Sequence, residues 1–261
     1  MIPNFTFLGK TFSAYMFLAL AGVLVMLYFA WRAAKSQGLD ELHMLNLLLF
    51  SMIGVLVGSH MLYGITNLPL LLALVGSLGS FDSWQAFWQA LEAVFGGAVF
   101  YGGLLGGLAV GYVFLRKNRL DVGRYSDVTA PAIALFHTFG RLGCFLSGCC
   151  YGVPWSHGVT YHYAAMAEAN GVARFPVQLA EAGLNFGLFF LLWTLLRTRR
   201  LPGRLLLLYL LIYPTYRFFL EFLRGDAIRG FLLGLSTSQV ISLLLLAGSA
   251  LIWLRCRRTQ A

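Results

Sequence analysis

Long apolar runs recur along the whole chain and are separated by shorter polar segments. An α-helix needs about 20 apolar residues to cross the hydrocarbon core of a bilayer, which is about 30 Å thick. The runs therefore predict an all-α, polytopic membrane protein with about seven transmembrane helices. The predicted spans are Thr11–Trp31, Leu42–Ile65, Gly96–Leu115, Tyr125–Ser147, Val177–Leu196, Arg204–Phe222 and Ser236–Leu254.

Two segments between the spans have a different pattern. Leu68–Leu78 is apolar but too short to cross a bilayer, and with Trp84 and Trp88 in Phe81–Phe95 it predicts a re-entrant or interfacial segment. Gly148–Pro176 carries aromatic residues and histidines and is predicted to form a small cap at the lipid surface.

Composition supports lipid as the solvent for much of the chain. Hydrophobic residues make up 59% of the 261 residues and charged residues 11%, whereas soluble domains have about 25% charged residues. A soluble core of this size could not bury so much apolar surface. The net charge of +9 would suggest nucleic acid as a partner of a soluble protein, but in a membrane protein the positions of the basic residues matter more.

Most Lys and Arg residues stand near span ends that a seven-helix arrangement places on one face. The positive-inside rule makes that face cytoplasmic, with the N-terminus outside and the C-terminus inside. The segments at about 66–95 and 148–176 are then periplasmic parts of a single membrane domain, residues 1–261. The residues on this face are Arg32, Lys35, Arg116, Lys117, Arg119, Arg124, Arg197, Arg199, Arg200, Arg204, Arg255, Arg257 and Arg258.

The remaining basic residues lie outside or within the spans, where a charge costs several kcal/mol unless it is paired or faces a wet cavity. Function is expected near these residues, because such charges mark binding sites in membrane proteins. They are Lys10, Arg141, Arg174, Arg217, Arg224 and Arg229.

Arg141 belongs to the first polar constellation, at the outer end of the fourth span. His137, Arg141 and Cys144 share one helical face, and Gly143 and Gly148 permit close approach of a backbone or ligand. The planar guanidinium suits a lipid phosphate, which it can bind through two hydrogen bonds. The alternatives are a helix-packing face with Arg141 reaching towards the interface, and a hydrogen-bonded core histidine.

A second constellation follows one stripe of the sixth span. Tyr213, Arg217, Glu221 and Arg224 recur at helical spacing, so Glu221 can pair with both arginines. Paired charges tolerate burial and leave donors for an anion. The alternative is a purely structural ion pair that joins two helices.

Two further groups lie at outer span ends. Tyr101 precedes Gly102 and Gly103, where the glycines permit tight helix contact and the hydroxyl either reaches a lipid headgroup or belongs to the aromatic belt. Gln178 and Glu181 follow a helix start, where Glu181 is an acid, a base, an arginine partner or merely a favourable residue near the helix N-terminus.

The four cysteines show no CxxC spacing and no metal-ligand pattern, so no metal is predicted, and no organic cofactor is required. Cys144 and Cys256 are interpreted as small helix residues. Cys149 and Cys150 lie near the predicted oxidising face, which leaves a disulfide open.

Five motifs resemble those of the phosphatidylglycerol–prolipoprotein diacylglyceryl transferase family and occur in its order across almost the whole chain. They are Gly140-Arg141-Leu142-Gly143 with Gly148 and Tyr151-Gly152; Tyr101-Gly102-Gly103-Leu104; Pro176 with Gln178-Leu179 and Glu181; Arg217-Phe218 with Glu221-Phe222 and Arg224; and Ser238-Gln239.

The resemblance implies a transferase of the bacterial inner membrane, with its active site facing the outer leaflet. It implies transfer of diacylglyceryl from phosphatidylglycerol to the lipobox cysteine thiol in a prolipoprotein signal peptide, forming a thioether and releasing glycerol phosphate. The acceptor supplies the nucleophile, which fits the lack of a Ser/His/Asp arrangement. The implied partners are these two substrates and membrane lipids, without nucleic acid.

The resemblance also implies a set of site residues. The leaving phosphate needs cationic donors, and the acceptor thiol, with a free pKa near 8.5, needs a base or a field that favours thiolate. The catalytic candidates are Arg141, Arg217, Glu221, Tyr101 and His137. The substrate-binding candidates are Arg141, Gly143, Gly148, Arg224, Gly102, Gly103, Gln178 and Gln239.

Three positions depart from the family's usual residues. The family usually has histidine at Tyr101, asparagine at Cys144 and an acidic residue at Cys149. The first change removes the most obvious proton acceptor, for which His137 is a substitute. The alternatives are therefore a related phospholipid-dependent transferase with another acceptor, and a non-catalytic lipid-binding or transport protein. Transporters favour midplane polar sites and repeated halves, which this sequence does not show.

Overall fold

The computed structural model is mostly helical and describes residues 4–7, 10–77, 79, 81–226, 231–232 and 234–258. Arg229 lies outside these residues, as do the side chains of Lys10, Tyr101 and Cys256. The helices are α1 (Ala14–Ser36), α2 (Glu41–Thr66), α3 (Leu68–Gly76), α4 (Trp84–Phe95), α5 (Phe100–Lys117), α6 (Val122–Ser147), α7 (Val177–Arg197), α8 (Leu205–Leu220) and α9 (Thr237–Arg258). Short antiparallel strands pair as β1 (Asn4–Phe7) with β2 (Lys10–Ser13), β3 (Pro154–Thr160) with β4 (Ala173–Arg174), and β5 (Phe231–Leu232) with β6 (Leu235–Ser236).

Five helices among the described residues are long and apolar enough to cross a membrane: α1, α2, α7, α8 with the 3₁₀ turn that extends it, and α9. They correspond to five of the predicted spans, and many of their large apolar side chains are exposed, as lipid contact requires. The other two predicted spans form helices α5 and α6, which are not in that group. Helix α6 carries Arg124, Asp127, His137 and Arg141 along its length.

Several predicted boundaries are wrong in detail. The first span was expected from Thr11, but residues up to Ser13 belong to the β1–β2 hairpin, whose register pairs Asn4 with Ser13. Alternating aromatic and polar residues, as in this stretch, suit a strand better than a helix. The predicted interfacial segment forms α3 and α4, which have 9 and 12 residues and are too short to span.

The sixth predicted span is not one continuous α-helix. Helix α8 stops at Leu220 and continues as a 3₁₀ turn over Glu221–Leu223. Arg224 then adopts an extended conformation (φ −83°, ψ 138°) and bridges to Gly152. The 3₁₀ turn is tighter than an α-helical turn, and Arg224 keeps the predicted contact with Glu221, with Nη1 3.7 Å from Oε2.

The chain divides into two compact units, and the single membrane domain stays a prediction. The smaller unit comprises Gly38–Val122 and the larger unit Met1–Gln37 with Gly123–Ala261. In the smaller unit, α2 packs on α5 through facing glycines. A Cβ on Gly58 would overlap the backbone of Gly102. Small residues let membrane helices approach closely and gain van der Waals contact.

In the larger unit, Asp127 of α6 fixes the start of α8. Its buried carboxylate accepts hydrogen bonds from the backbone N–H groups of Gly203 (2.5 Å) and Leu205 (2.9 Å). A negative charge at a helix N-terminus satisfies donors that have no partner within the helix and interacts favourably with the helix dipole. This contact holds the first turns of α6 and α8 side by side.

Other contacts bring further helix ends to the same place. Arg124, near the start of α6, donates to the carbonyl of Gln37 after α1 at 2.7 Å. Gln37 in turn donates to the carbonyl of Leu196 near the end of α7 at 3.4 Å. Arg204, before α8, lies 5.8 Å from the ring of Trp253 near the end of α9. One end of the larger unit therefore holds the ends of α1, α7 and α9 and the starts of α6 and α8.

Replacement of Gly58 by alanine tests the glycine packing in the smaller unit. The added methyl group has no room against α5, so we expect Gly58→Ala to destabilise the protein by about 1–3 kcal/mol. Gly187→Ala is the matched control, because nothing lies within 4 Å of its Cβ and alanine favours a helix. Thermal unfolding in detergent measures both, and equal melting temperatures would contradict the packing account.

Candidate active site

Three arginines and three carboxylates form a buried cluster in the larger unit. Arg141 Nε lies 3.0 Å from Glu181 Oε1, and Arg217 Nε lies 3.7 Å from the same oxygen. Arg217 also contacts Glu221 Oε2 through Nη1 at 2.6 Å. Arg224 Nη1 is 3.7 Å from that Glu221 oxygen. The charges thus form one chain in which cations and anions alternate.

Different elements bring these side chains together. Arg141 comes from the last turns of α6, Glu181 from the first turns of α7, and Arg217 from the last turns of α8. Glu221 follows in the 3₁₀ turn, one helical step from Arg217, which agrees with the predicted pairing at i, i+4. The Glu181 contacts depend on tertiary packing of three helices.

These charged side chains are buried, so each needs a counter-ion, and one guanidinium group is partly exposed to solvent. The side chains of Glu181 and Glu221 are 3% and 1% exposed, and that of Arg217 is 7% exposed. Arg141 is 21% exposed, the largest value in the chain of ion pairs. Removing one member of a buried pair strands the other charge. Arg141 is therefore the member best placed to meet an incoming anion.

Asp226 completes the chain of charges at Arg224. Arg224 Nε donates to Oδ1 at 3.0 Å and Nη2 donates to Oδ2 at 2.5 Å, a bidentate pair. Burial opposes the charged form, but the hydrogen bonds and the charge of Asp226 outweigh it and raise the pKa of Arg224. Arg224 stays cationic throughout the physiological range.

The cap segment that follows α6 is attached to the Arg224 segment through the backbone. Val153 N–H donates to the carbonyl of Leu223, and Gly225 N–H donates to the carbonyl of Tyr151, both at 2.9 Å. Arg174 joins the cap internally: its guanidinium donates to the carbonyls of Ala169, Gly152 and Glu168 and stacks 4.4 Å from the Tyr151 ring. The cap is thus a braced structure that borders the cluster.

His137 lies one helical turn before Arg141, as predicted, but it contacts tyrosines rather than the carboxylates. Its Nδ1 is 2.9 Å from the hydroxyl of Tyr209, and its ring centroid lies 5.1 Å from that of Tyr213. A hydrogen bond to one ring nitrogen fixes the orientation of an imidazole. The histidine is therefore held rigidly beside the arginine cluster.

Two predicted substrate-binding amides have structural partners. Gln178 donates from Nε2 to the carbonyl of Cys149 (2.8 Å) and accepts from the hydroxyl of Tyr161 (3.2 Å), which ties α7 to the cap. Gln239 Oε1 accepts from Ser236 N–H at 2.9 Å, and its own N–H donates to Ser236 Oγ at 3.2 Å. This reciprocal pair caps α9.

Three of the predicted substrate-binding glycines pack against other helices, and the fourth adopts a turn conformation. A Cβ on Gly143 would lie 3.0 Å from the Tyr15 ring, so this glycine lets α1 approach α6. Gly148 ends α6 with φ +69°, a left-handed conformation that glycine adopts at little cost. Gly102 and Gly103 of the smaller unit face the backbone and side chains of α2. Tyr101 lies in the first turn of α5, and its side chain is outside the described residues.

The cluster contains acidic residues that the prediction did not include in the site. From the sequence, placement near a helix N-terminus explains Glu181 equally well, and the spacing gives Asp226 no arginine partner. A balance of charges would have indicated both, because Arg141, Arg217 and Arg224 cannot be buried with Glu221 as their sole counter-ion.

Replacing Glu181 by glutamine tests whether it joins the two arginines. The substitution keeps the shape but leaves two buried guanidinium groups short of a counter-ion, so we expect a loss of roughly 3 kcal/mol in stability. Glu168→Gln removes the same charge from an exposed position in the cap and serves as the matched control. Thermal unfolding that is equal for both variants would refute the shared contact.

Comparison with known proteins adds a direct finding. The family described as prolipoprotein diacylglyceryl transferase matches residues 3–255. The phosphatidylglycerol–prolipoprotein diacylglyceryl transferase of Clostridium tetani is 35% identical over 225 residues, covering 85% of this chain and 84% of the relative. The second such enzyme of Clostridium perfringens is 32% identical over 253 residues (94% and 91%), and that of Bordetella parapertussis 34% over 210 residues (79% and 75%). The chain is therefore a transferase that belongs to the prolipoprotein diacylglyceryl transferase family.

Proposed function

We propose that this protein transfers a diacylglyceryl group from phosphatidylglycerol to the lipobox cysteine thiol of a prolipoprotein and releases glycerol phosphate. The observation that carries the proposal is the convergence of Arg141 and Arg217 on one carboxylate oxygen of Glu181. The names of the relatives support the same two substrates.

The reaction needs no nucleophile from the enzyme, because the acceptor supplies it. The acceptor sulfur, as thiolate, attacks the glycerol carbon that carries the phosphate. A carbon–sulfur bond forms while the carbon–oxygen bond to the phosphate breaks. The phosphate oxygen keeps the electron pair, so negative charge grows on the leaving glycerol phosphate, and fixed cationic donors lower the barrier at that point.

The arginine chain supplies such donors. Each guanidinium has five N–H groups, and the contacts with Glu181 occupy the Nε side of Arg141 and Arg217. The remaining donors of Arg141, the more exposed of the two, can bind a phosphate in the bidentate manner that this group favours. Glu181 and Glu221 then hold the arginines in place and keep the site neutral before the lipid arrives.

The acceptor thiol must also lose its proton, and Tyr101, His137 and Glu221 remain the proposed acceptors. Glu221 contacts two guanidinium groups, which favours a positioning role. His137 is one turn from Arg141, and Tyr209 holds its ring. We propose substrate contacts for Gly143, Gly148, Arg224, Gly102, Gly103, Gln178 and Gln239 on the family resemblance.

We also propose seven spans in the inner membrane, with the N-terminus and the arginine cluster at the outer face. The end of α1 and the start of α6 meet through Gln37 and Arg124, so the intervening chain crosses an even number of times, and α2 and α5 supply two crossings. Lys35, Arg124, Arg197 and Arg204 gather at that same end, which the positive-inside rule makes cytoplasmic. The single domain then spans the membrane with the cap outside.

Arg141→Ala tests the phosphate-binding role. We expect the purified variant to lose about 10²- to 10³-fold in release of glycerol phosphate and in mass gain on a lipobox peptide, because a donor to the leaving group is gone. Arg199→Ala, in the loop between α7 and α8, is the control that removes an exposed arginine. Wild-type rates for Arg141→Ala would refute the role, and glycerol phosphate release without peptide modification would indicate a different acceptor.

Reporter fusions test the topology. Alkaline phosphatase, which is active in the periplasm alone, is fused after Tyr163 in the cap or after Arg200 between α7 and α8. We expect activity from the first fusion and none from the second, with a fluorescent protein giving the reverse pattern. The opposite result, or equal activity at both sites, would contradict the proposed orientation.

A further inference from the structure

Cys144 and the adjacent pair Cys149 and Cys150 meet at the end of α6. The Sγ atoms of Cys144, Cys149 and Cys150 all lie within 4.8 Å of one another, and none forms a disulfide. Cys144 is buried, and the other two are half-buried. The sequence predicted no metal site, because the 5-residue spacing matches no common ligand motif, but the turn that ends α6 brings the sulfur atoms together.

The backbone around the sulfur atoms is held from several directions. Cys149 N–H donates to the carbonyl of Cys144 at 3.2 Å, and Gln178 donates to the carbonyl of Cys149 at 2.8 Å. Gly148 and Cys150 both have positive φ, +69° and +56°. A left-handed conformation is unfavourable for cysteine, and such strain concentrates at functional sites.

The geometry fits a thiophilic cation. Zinc binds thiolate at about 2.3 Å, so three sulfur atoms around one tetrahedral ion lie about 3.8 Å apart. The observed limit of 4.8 Å needs only a small contraction. A disulfide would join only two of the three sulfur atoms, and the adjacent pair is poorly placed to form one. The Cα atoms of a disulfide are usually about 4.4–6.8 Å apart, whereas adjacent residues across a trans peptide, such as Cys149 and Cys150, are separated by about 3.8 Å.

The sulfur cluster lies next to the proposed phosphate site. Cys144 stands three residues after Arg141 on α6, and the carbonyl of Tyr151, the residue after Cys150, accepts a hydrogen bond from the N–H of Gly225, the residue after Arg224. The cluster therefore borders the proposed position of the reacting lipid.

We propose that Cys144, Cys149 and Cys150 bind one Zn²⁺ as thiolates, and that the open fourth position takes the acceptor cysteine thiol. The second part rests on the proposed function. Zinc sites with three protein ligands keep a position for substrate, and a thiol that coordinates zinc loses its proton. With zinc bound, the thiol proton would pass to one of the proposed acceptors, the sulfur would attack the glycerol carbon that carries the phosphate, and glycerol phosphate would leave with the electron pair of the broken carbon–oxygen bond.

Metal content tests the site independently of any reaction. Full-length protein is reduced, loaded with Zn²⁺ in detergent, desalted and measured by elemental mass spectrometry. We expect about one zinc per chain for the wild type and for Cys256→Ser, the matched control, whose residue lies near the end of α9. Cys144→Ser, Cys149→Ser and Cys150→Ser are each expected to weaken binding at least about tenfold.

Several results would overturn the site. They are wild-type protein that retains no zinc while its thiols remain reduced, zinc retention in all three serine variants, and a disulfide within the cluster that persists after reduction. Circular dichroism and a single peak in size-exclusion chromatography establish that each variant is folded, and the three independent variants guard against one that is not.

Cobalt substitution tests the fourth position. Co²⁺ bound to thiolates gives a sulfur-to-cobalt charge-transfer band, and we expect it to strengthen by about one-third, from three sulfur ligands to four, when a lipobox peptide with cysteine is added. The peptide with serine in place of cysteine is the control. An unchanged band would overturn coordination by the peptide thiol, but it would not contradict metal binding by the three cysteines. Loss of lipid transfer with an intact cobalt response would instead contradict the proposed function alone.

Discussion

The ion pairs of Glu181 with Arg141 and Arg217 are the interaction on which the rest of the larger unit depends. Three guanidinium groups lie in an apolar helical bundle, where each unpaired charge would cost several kcal/mol. Glu181 joins Arg141 to Arg217, Glu221 joins Arg217 to Arg224, and Asp226 completes the series. Because these contacts link α6, α7 and α8 at one end, the atoms that stabilise this end are also those of the proposed phosphate site. The contacts hold the cations in place before any ligand binds.

Asp127 makes the complementary contact at the opposite end of the same helices. It fixes the start of α8 against α6, and Arg141 lies 14 residues further along, which is about 21 Å in an α-helix. The polar contacts thus hold α6 and α8 at both ends, and the hydrogen bond between His137 and Tyr209 joins the two helices between them. The end with Asp127 gathers basic residues, and the end with Glu181 carries the candidate active site.

Contacts between residues that are close in the sequence could be predicted, whereas contacts between different helices depend on tertiary packing that the sequence does not show directly. Apolar length predicted the positions of the helices, and i, i+4 spacing predicted the Arg217–Glu221 pair. Charge balance indicates Glu181 as a counter-ion, but its partners could not be identified from the sequence, because they come from two other helices. The sulfur cluster was missed for a related reason: a left-handed turn after α6 joins Cys144 to Cys149 and Cys150. The position of Tyr101 relative to Arg141 stays a prediction.

The most direct test of the central claim is lipid selectivity measured by native mass spectrometry. The protein is offered phosphatidylglycerol and diacylglycerol with identical acyl chains, which differ in the phosphate headgroup. The account predicts that the wild type retains phosphatidylglycerol preferentially and that the charge-balanced Arg141→Gln/Glu181→Gln variant loses this preference. Equal retention of both lipids by the wild type, or an undiminished preference in the folded variant, would contradict it.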